Sequence, residues 1–325
     1  MTRVFSGIAP SGQVHLGNLL GALGRWVRAQ DGDAIHCVVD LHALTVPQDP
    51  GELRATSLGL AQMLLAVGLD PDVCTLFVQS HVHEHTELAW LMECTASFGE
   101  LRRMTQFKDK SERADFVSAG LFTYPALMAA DILLYDTDEV PVGDDQRQHV
   151  ELTRDVAERF NHRYGPTFVV PEATFPAAGA RVMDLQNPTA KMSKSEDTAA
   201  GTILVLDEPK VIERKVKRAV TDNDGEVRYD VAAKPGVSNL LSILGALTDR
   251  SAIEVGEGYT QYGPLKADTA AALVERLSPI QARYRELAAD PGETTRILAA
   301  GAAKARERAA ATLARARDNV GLLPA

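Results

Sequence analysis

Residues 4–27 read VFSGIAPSGQVHLGNLLGALGRWV, and residues 35–39 read IHCVV. Val4 to Ile8 is a short apolar and β-branched run that ends at the turn-forming sequence Ala9-Pro-Ser-Gly12. Apolar residues then recur at helical spacing from Asn18, and Asp31-Gly32 ends that helix before the next buried strand. A strand, a helix and a strand within forty residues predict a βαβ unit.

The alternation of helices and strands continues to about residue 160. We predict helices at about residues 52–67, 86–97, just after Pro125 and 146–160, with strands at 75–79 and 139–142. Such alternation favours the α/β class, with a doubly wound parallel sheet that carries helices on both faces.

Beyond residue 186 the strand signal fades. Four further helices are predicted, at residues 210–220, 239–247, 268–289 and 294–316. The sequence therefore predicts an α/β domain over residues 1–185, a smaller all-helical domain over residues 186–290, and a C-terminal helical segment, residues 291–325, that packs back on the body.

Composition and charge limit the possible functions. The chain has 325 residues, 45% apolar and 24% charged, which excludes wholesale disorder. Because the net charge is −10, a nucleic-acid partner would have to be held by a local basic patch. The densest basic stretch is Lys210–Arg218, which is either a phosphate-contacting face or a solvated one.

Cysteines and targeting signals add further exclusions. Three cysteines far apart, Cys37, Cys74 and Cys94, form neither a disulfide framework nor a C-x-x-C site. The amino terminus has no secretory signal pattern, so a cytoplasmic protein is expected. Residues 116–135 carry one charge, Asp131, together with Pro125, and we interpret this window as a buried helix rather than a membrane span.

Two loops carry the clearest chemical signals. His15-Leu-Gly-Asn18 lies where the first strand meets the first helix, a position that favours phosphate through backbone N–H groups and the helix dipole. The alternative is a tight turn with a satisfied histidine. Lys191-Met-Ser-Lys-Ser195 offers two lysines that can neutralise charge on a departing polyphosphate, although an isolated pair is typical of a solvated loop.

Carboxylates supply two further candidates. Asp144 and Asp145, with Gln146, could bind ribose hydroxyls and an ammonium group, or could simply begin a helix. Met128 and Asp131 share one helical stripe at i, i+3. An aspartate in so apolar a helix needs a partner, either structural or a ligand. The run His81-Val-His-Glu-His85 is interpreted as a structural or solvated loop rather than a metal site.

Taken in order, these motifs resemble those of the bacterial tryptophanyl-tRNA synthetases, a class I aminoacyl-tRNA synthetase family. His15-Leu-Gly-Asn18 resembles the HIGH motif with asparagine for its last histidine, and Lys191–Ser195 matches KMSKS. Similarity extends through residues 104–111, 124–135, 142–154, 219–222 and 234–240, and so spans nearly the whole chain.

The resemblance implies a Rossmann-like catalytic domain, a helical tRNA-binding domain, and a homodimer that charges tRNA(Trp) using L-tryptophan and ATP with Mg²⁺ carried by the nucleotide. It implies catalytic roles for His15, Lys191 and Lys194. The implied ATP-binding residues are Ala9, Pro10, Ser11, Gly17, Asn18, Gly143, Asp144, Asp145, Val182, Lys191, Met192, Ser193, Lys194 and Ser195. The implied tryptophan-binding residues are Asp131, which would accept the indole N–H, Tyr124 and Gln146, which would hold the α-ammonium, and Phe5, His42, Gln106, Met128, Val140 and Val142.

Two departures from the family pattern concern the nucleotide. Ala9 stands where glutamine is common, and Asp144 where glutamate is common. A tyrosyl-tRNA synthetase is the nearest alternative. A catalytically idle paralogue that binds tryptophan or RNA is a second one, which the intact HLGN and KMSKS motifs disfavour and Ala9 keeps open. The run Asp145–Leu152 and the pair Met128 and Asp131 favour tryptophan.

Overall fold

The structure is a computed structural model that describes residues 2–112, 116–143, 146–175, 181–193 and 199–324. Its centre is a five-stranded sheet in the order β3-β2-β1-β4-β5, and all four strand pairs are parallel. The strands are β1 (Val4–Ile8), β2 (Ala34–Val38), β3 (Thr75–Val78), β4 (Glu139–Pro141) and β5 (Glu172–Thr174). The predicted α/β fold with a doubly wound parallel sheet is confirmed.

Helices cover both faces of the sheet and continue beyond it. A helical segment after β1 consists of α1 (Leu16–Asn18), a π-helical stretch at Leu19–Leu23 and α2 (Gly24–Ala29). The other helices of the described residues are α3 (Asp40–Ala43), α4 (Pro50–Val67), α5 (Glu84–Thr95), α6 (Phe98–Arg103), α7 (Thr105–Ser111), α8 (Ala119–Leu133), α9 (Arg147–Tyr164), α10 (Pro209–Lys217), α11 (Pro235–Thr248), α12 (Ala252–Gly256), α13 (Tyr262–Ala289) and α14 (Pro291–Asn319).

Side chains alternate between two buried apolar clusters. Phe5 of β1, Ile35 of β2 and Phe77 of β3 face a cluster that includes residues of α5, α8, α9 and α14. Val38 and Leu76 belong to a second cluster with residues of α4, α11 and α13. This alternation is the period-two pattern of strands that are buried on both faces.

Helix α14 packs over β3, the edge strand at one side of the sheet. A Cβ atom on Gly301 would lie 1.8 Å from the carbonyl oxygen of Leu76, so helix and edge strand approach backbone to backbone. Covering an edge strand in this way removes a site for unwanted strand pairing. The division of the chain at residues 185 and 290 stays a prediction, since Leu16 and Leu240 belong to one continuous cluster.

The helix that carries Asp131 begins earlier than the sequence indicated. We expected Pro125 in the first turn, but α8 begins at Ala119 and Pro125 lies in its interior. Ser118 caps this helix because its side chain accepts a hydrogen bond from the amide of Leu121. Among the helices of the described residues, none is long and apolar enough to cross a membrane.

Candidate active site

A cavity of about 450 Å³ opens where the central strands diverge. β1 pairs with β2 along its whole length, but it pairs with β4 only at Val4 and Glu139. Beyond that pair the carboxyl ends of β1 and β4 separate, and this is the point where the strand order reverses. Ligands of open parallel sheets bind at such switch points.

All nine residues that the sequence suggested for tryptophan line this one cavity. They come from β1, α3, α7, α8, β4 and the start of α9, and they are Phe5, His42, Gln106, Tyr124, Met128, Asp131, Val140, Val142 and Gln146. Ala9 and Gly143, from the nucleotide set, line it as well. The wall is largely apolar with a few polar groups, which suits an aromatic amino acid.

Asp131 lies at the base of this cavity and is almost fully buried, with 2% of its surface exposed. His42 Nε2 lies 2.7 Å from its Oδ2 atom. Gln79 Nε2 and His85 Nδ1 lie 2.6 and 2.7 Å from its Oδ1 atom. Burial by itself would raise the pKa of this carboxyl, but charge and hydrogen bonds from His42 and His85 outweigh that effect and lower the pKa to about 2. The carboxylate is therefore ionised at neutral pH.

Tyr124 forms a second polar group on the cavity wall. Its hydroxyl lies 2.6 Å from Nε2 of the buried His149 and 3.3 Å from Oε1 of Gln106. Burial raises the pKa of Tyr124, so the hydroxyl keeps its hydrogen and retains acceptor capacity for a ligand donor. The His42 ring meets the Tyr124 ring edge-on, with 6.2 Å between the centroids.

The His15-Leu-Gly-Asn18 turn begins the first helical segment. His15 Nδ1 accepts a hydrogen bond from the amide of Asn18 at 3.3 Å, and Asn18 Oδ1 accepts from the amide of His15 at 3.2 Å. We expected free backbone N–H groups here, but the amide of Leu16 donates to Ile203 at 2.8 Å and that of Asn18 is also engaged. The expectation was wrong for these two amides, because residues 203–205 pair with the turn at Leu16 and His15 accepts the amide of Asn18 within the turn.

The described part of the KMSKS segment lies beside that turn. Lys191 pairs with Met183, the amide of Met192 donates to Val182, and Thr202 Oγ1 donates to Ser193. A Cβ atom on Gly17 would lie 3.8 Å from Cβ of Val182, so the two motifs are neighbours. Val182 and Met192 pack in the apolar cluster, whereas Lys191 is exposed.

The two groups of candidates do not share one cavity wall. Apart from Ala9 and Gly143, the described nucleotide candidates are absent from its lining: Pro10, Ser11, His15, Gly17, Asn18, Val182, Lys191, Met192 and Ser193. Asp144, Asp145, Lys194 and Ser195 lie outside the described residues.

Comparison with known proteins assigns the family. A family model for class I tRNA synthetases of the tryptophan and tyrosine type matches residues 1–278. The chain belongs to this family. It is 55% identical to tryptophan–tRNA ligase 1 of Streptomyces coelicolor, over all of this chain and 98% of that protein.

Solved structures of synthetases in this family agree with the whole fold. The tryptophanyl-tRNA synthetase of Mycoplasma pneumoniae is 37% identical with a TM-score of 0.89, over 99% of this chain and 98% of that one. The Campylobacter jejuni enzyme, solved with ADP and tryptophan, is 34% identical with a TM-score of 0.87, over 99% and 100% of the two chains. These relatives confirm the tryptophan–tRNA ligase prediction over the tyrosine alternative.

Several residues of this candidate site were not identified from the sequence. Gln79 and His85 contact Asp131 from 52 and 46 positions away, and Lys110 and Trp26 also line the cavity. In the run His81–His85, one of the three histidines belongs to this group. His85 is completely buried against Asp131, whereas the side chain of His83 is 75% exposed, because α5 begins at Glu84 and turns only one of them inward. No group of three or more metal-binding side chains occurs among the described residues.

Proposed function

We propose that this protein activates L-tryptophan with ATP and transfers the tryptophanyl group to tRNA(Trp). The tryptophan carboxylate attacks the α-phosphorus, pyrophosphate leaves, and a ribose hydroxyl of the tRNA then displaces AMP from the adenylate. The observation that carries this proposal is the buried carboxylate of Asp131, which lies at the base of a largely apolar cavity large enough for an aromatic side chain.

The hydrogen-bond count at Asp131 supports an indole partner. An ionised carboxylate offers about four acceptor positions, two on each oxygen. Gln79 and His85 use both positions on Oδ1, and His42 uses one on Oδ2. One position on Oδ2 remains, and the indole N–H is a single donor with no acceptor role. Tyr124 and Gln146 would bind the α-ammonium group, while Phe5, Gln106, Met128, Val140 and Val142 would enclose the ring.

Catalysis would consist of positioning and charge stabilisation, since the reaction needs no side-chain nucleophile. Because His15 Nδ1 accepts the amide hydrogen of Asn18, a neutral ring carries its own hydrogen on Nε2, which can donate to a phosphoryl oxygen. Lys191 and Lys194 would neutralise charge on the departing pyrophosphate. The nucleotide would lie along Ala9, Pro10, Ser11, Gly17, Asn18, Gly143, Asp144, Asp145, Val182, Met192, Ser193 and Ser195.

Mg²⁺ would arrive with the nucleotide. Among the described residues no set of three or more carboxylates, histidines or cysteines could form a protein cage for a metal. Mg²⁺ commonly keeps several waters and binds through substrate phosphates, so ATP itself supplies suitable ligands. The ion would add positive charge beside the phosphates during adenylate formation.

Transfer to tRNA requires a basic surface on an acidic chain. Lys210, Arg214 and Lys217 on α10 are exposed, and Arg218 follows them. Lys215 is not available, because its Nζ atom lies 2.7 Å from both Asp207 Oδ2 and the Thr202 carbonyl. We therefore assign tRNA contact to the helical part, residues 186–290, with residues 1–185 catalytic and residues 291–325 packed on them. A role in charging tRNA agrees with the expected cytoplasmic location.

The protein would act as a homodimer. Exposed aromatic residues lie near the cavity helices, with Trp90 64% exposed on α5 and Phe98 69% exposed on α6. Such a patch suits a symmetric contact between two copies. Light scattering at micromolar concentration should report about twice the chain mass of 35.1 kDa. A monomer that still charges tRNA would contradict this assembly.

One assay tests the function directly. ATP–pyrophosphate exchange measured with each of the twenty amino acids should respond to tryptophan alone, and tRNA(Trp) should then accept the label. Exchange with tyrosine instead would indicate the tyrosine enzyme. Tryptophan binding without exchange would indicate a non-catalytic paralogue.

A further inference from the structure

Behind Asp131, away from the cavity, lies a short chain of buried polar side chains. His85 of α5 is completely buried, and its two ring nitrogens have different partners. Nδ1 lies 2.7 Å from Oδ1 of Asp131, and Nε2 lies 2.7 Å from the hydroxyl of Tyr135. Neither His85 nor Tyr135 lines the cavity, so neither can touch a ligand there.

The hydrogen-bond donors in the row Asp131, His85 and Tyr135 can be assigned by starting from Asp131. An ionised carboxylate only accepts, so Nδ1 of His85 must donate to Asp131. With Nδ1 as a donor, a neutral ring accepts the Tyr135 hydrogen at Nε2, and a charged ring donates from Nε2 to the Tyr135 oxygen. Burial, together with the nearby Cys37, Asp131 and Glu84, raises the pKa of Tyr135, which keeps that donor hydrogen in place. The ring is therefore held at both nitrogens in one orientation.

Gln79 fixes the same oxygen from another direction. Its Nε2 atom donates to Oδ1 of Asp131 at 2.6 Å, and its Oε1 atom accepts the amide of Leu41 at 3.1 Å. Leu41 precedes His42, which holds the other carboxylate oxygen at 2.7 Å. Gln79 thus connects the two sides of the carboxylate through the backbone of α3.

We infer that His85, oriented by Tyr135 and assisted by Gln79, is a positioning residue that sets the selectivity for an indole N–H. Both acceptor positions of Oδ1 are filled from behind, so the carboxylate can present only Oδ2 to the cavity. Without His85 the carboxylate would have an unfilled position on Oδ1 and could rotate or admit water. This inference rests on the proposed function, in which Asp131 binds the indole.

The test compares tryptophan with its benzothienyl analogue, which has sulfur in place of the indole N–H. Equilibrium dissociation constants are measured for both ligands by calorimetry, and KM and kcat by pyrophosphate exchange. In His85→Leu the preference for tryptophan over the analogue should fall roughly tenfold, the size expected for a misplaced hydrogen bond to a charged group. KM for tryptophan should rise while KM for ATP and kcat stay within about threefold of wild type.

Three further variants make the outcome specific. His85→Asn retains an N–H donor near the Nδ1 position and should keep the preference within about threefold of wild type. Tyr135→Phe frees the ring and should lower the preference about two- to fivefold. Thr95→Val removes another buried hydroxyl of α5, at its far end, and should leave the preference unchanged. If His85→Leu does not fold, Tyr135→Phe decides, and an unaltered preference in it would overturn the inference.

Other outcomes separate this inference from the proposed function. An equal loss of affinity for tryptophan and the analogue in His85→Leu would mean a structural role only, and would overturn the inference. A wild-type protein that binds both ligands equally yet charges tRNA(Trp) would overturn the role of Asp131, and the inference with it, while the function stands. Absence of tryptophan-dependent exchange would refute the function, and the binding comparison would still test the positioning.

Discussion

The amino-acid end of the candidate site and its nucleotide end are built differently. The amino-acid end is an enclosed cavity whose base, Asp131, receives three hydrogen bonds from buried or half-buried side chains. The candidate nucleotide end is formed by two segments, at residues 15–18 and 181–193. The first pairs through its backbone with residues 203–205, and Thr202 Oγ1 donates to the carbonyl of Ser193 in the second. Its candidate cation, Lys191, is exposed.

This difference fits two separate tasks, recognition of the amino acid at one end and stabilisation of phosphate charge at the other. Telling an indole N–H from another ring edge requires an acceptor fixed before the ligand arrives, and a buried polar network supplies that rigidity. Stabilising charge that develops on a phosphate requires cations on segments that can meet the ligand as the reaction proceeds. Substitutions at the two ends should therefore change different kinetic constants.

The largest expected effect is at the nucleotide end. Lys194→Ala should lower the single-turnover rate of adenylate formation by roughly 10²-fold or more, because it removes a cation that meets charge in the transition state. The affinity for tryptophan should hardly change. Lys304→Ala, a change of a lysine on α14, serves as the control and should keep the wild-type rate. If the Lys194→Ala rate stays within about threefold of wild type, Lys194 does not stabilise the charge on the departing pyrophosphate.

At the amino-acid end, Asp131→Asn should have the next largest effect. The substitution keeps the shape of the side chain but can turn an NH₂ group towards the indole N–H. kcat/KM for tryptophan should fall roughly 10- to 200-fold, while KM for ATP hardly moves. Wild type should also reject the benzothienyl analogue, and the variant should discriminate much less. Normal tryptophan activation by Asp131→Asn would make this carboxylate purely structural.

A smaller effect is expected where packing supports the KMSKS segment. A Cβ atom on Gly201 would lie 1.9 Å from Oδ1 of Asp184, and that oxygen already accepts the amides of Gln186 and Asn187. Gly201→Ala should therefore displace the turn that leads to Lys191 and raise KM for ATP roughly tenfold, the size of a moderate overpacking cost. KM for tryptophan should stay near wild type.

A matched glycine provides the control for that change. Outside its chain neighbours and the backbone of its own helix, Gly263 has no atom within 4 Å of the position a Cβ atom would take, so Gly263→Ala should leave both constants unaltered. Equal increases in KM for ATP and for tryptophan in Gly201→Ala would mean that the two ends of the site are not independent, and the comparison would fail.

The fold was predictable from the sequence where patterns are local. β1, β2 and the helices over residues 50–67 and 147–164 carry clear periodicity, and their positions agree with the structure within a few residues. β5 was missed because it has three residues, Glu-Ala-Thr, without an apolar run. The start of α8 was misplaced because a proline was assumed to begin the helix, whereas the cap was Ser118.

The candidate site was predictable only in part. The family resemblance identified the nine cavity residues, six of which lie in the similar segments at residues 104–111, 124–135 and 142–154. The contacts of Asp131 could not be derived in the same way, because Gln79 and His85 reach it across 52 and 46 residues from other elements. Local spacing carries no information on such contacts. Only the tertiary arrangement shows that one histidine of His81–His85 belongs to the site.

The smallest expected effect concerns pH, and it tests whether the network controls the charge of Asp131. The folded protein holds the pKa of this carboxyl at about 2, below its ordinary value, because His42 and His85 outweigh the effect of burial. Because this pKa is lowered, the carboxylate stays charged when the pH falls below the ordinary pKa of an aspartate. It takes up a proton only as the pH falls through about 2. The indole acceptor should therefore persist in mildly acidic solution.

The preference for tryptophan over the benzothienyl analogue isolates this acceptor, because both ligands share the same α-ammonium and carboxylate titrations. Measured by calorimetry between pH 7.5 and 4, the ratio of the two dissociation constants should change by less than about twofold. Burial alone would raise the pKa into that interval, so a tenfold decline in the ratio would show that the carboxyl titrates there and that the histidines do not hold its charge. In the same measurement, His85→Asn keeps one donor to Asp131 but removes the charge of the ring, so the pKa of Asp131 should rise. The ratio should then begin to fall at a higher pH than in wild type, nearer to pH 4.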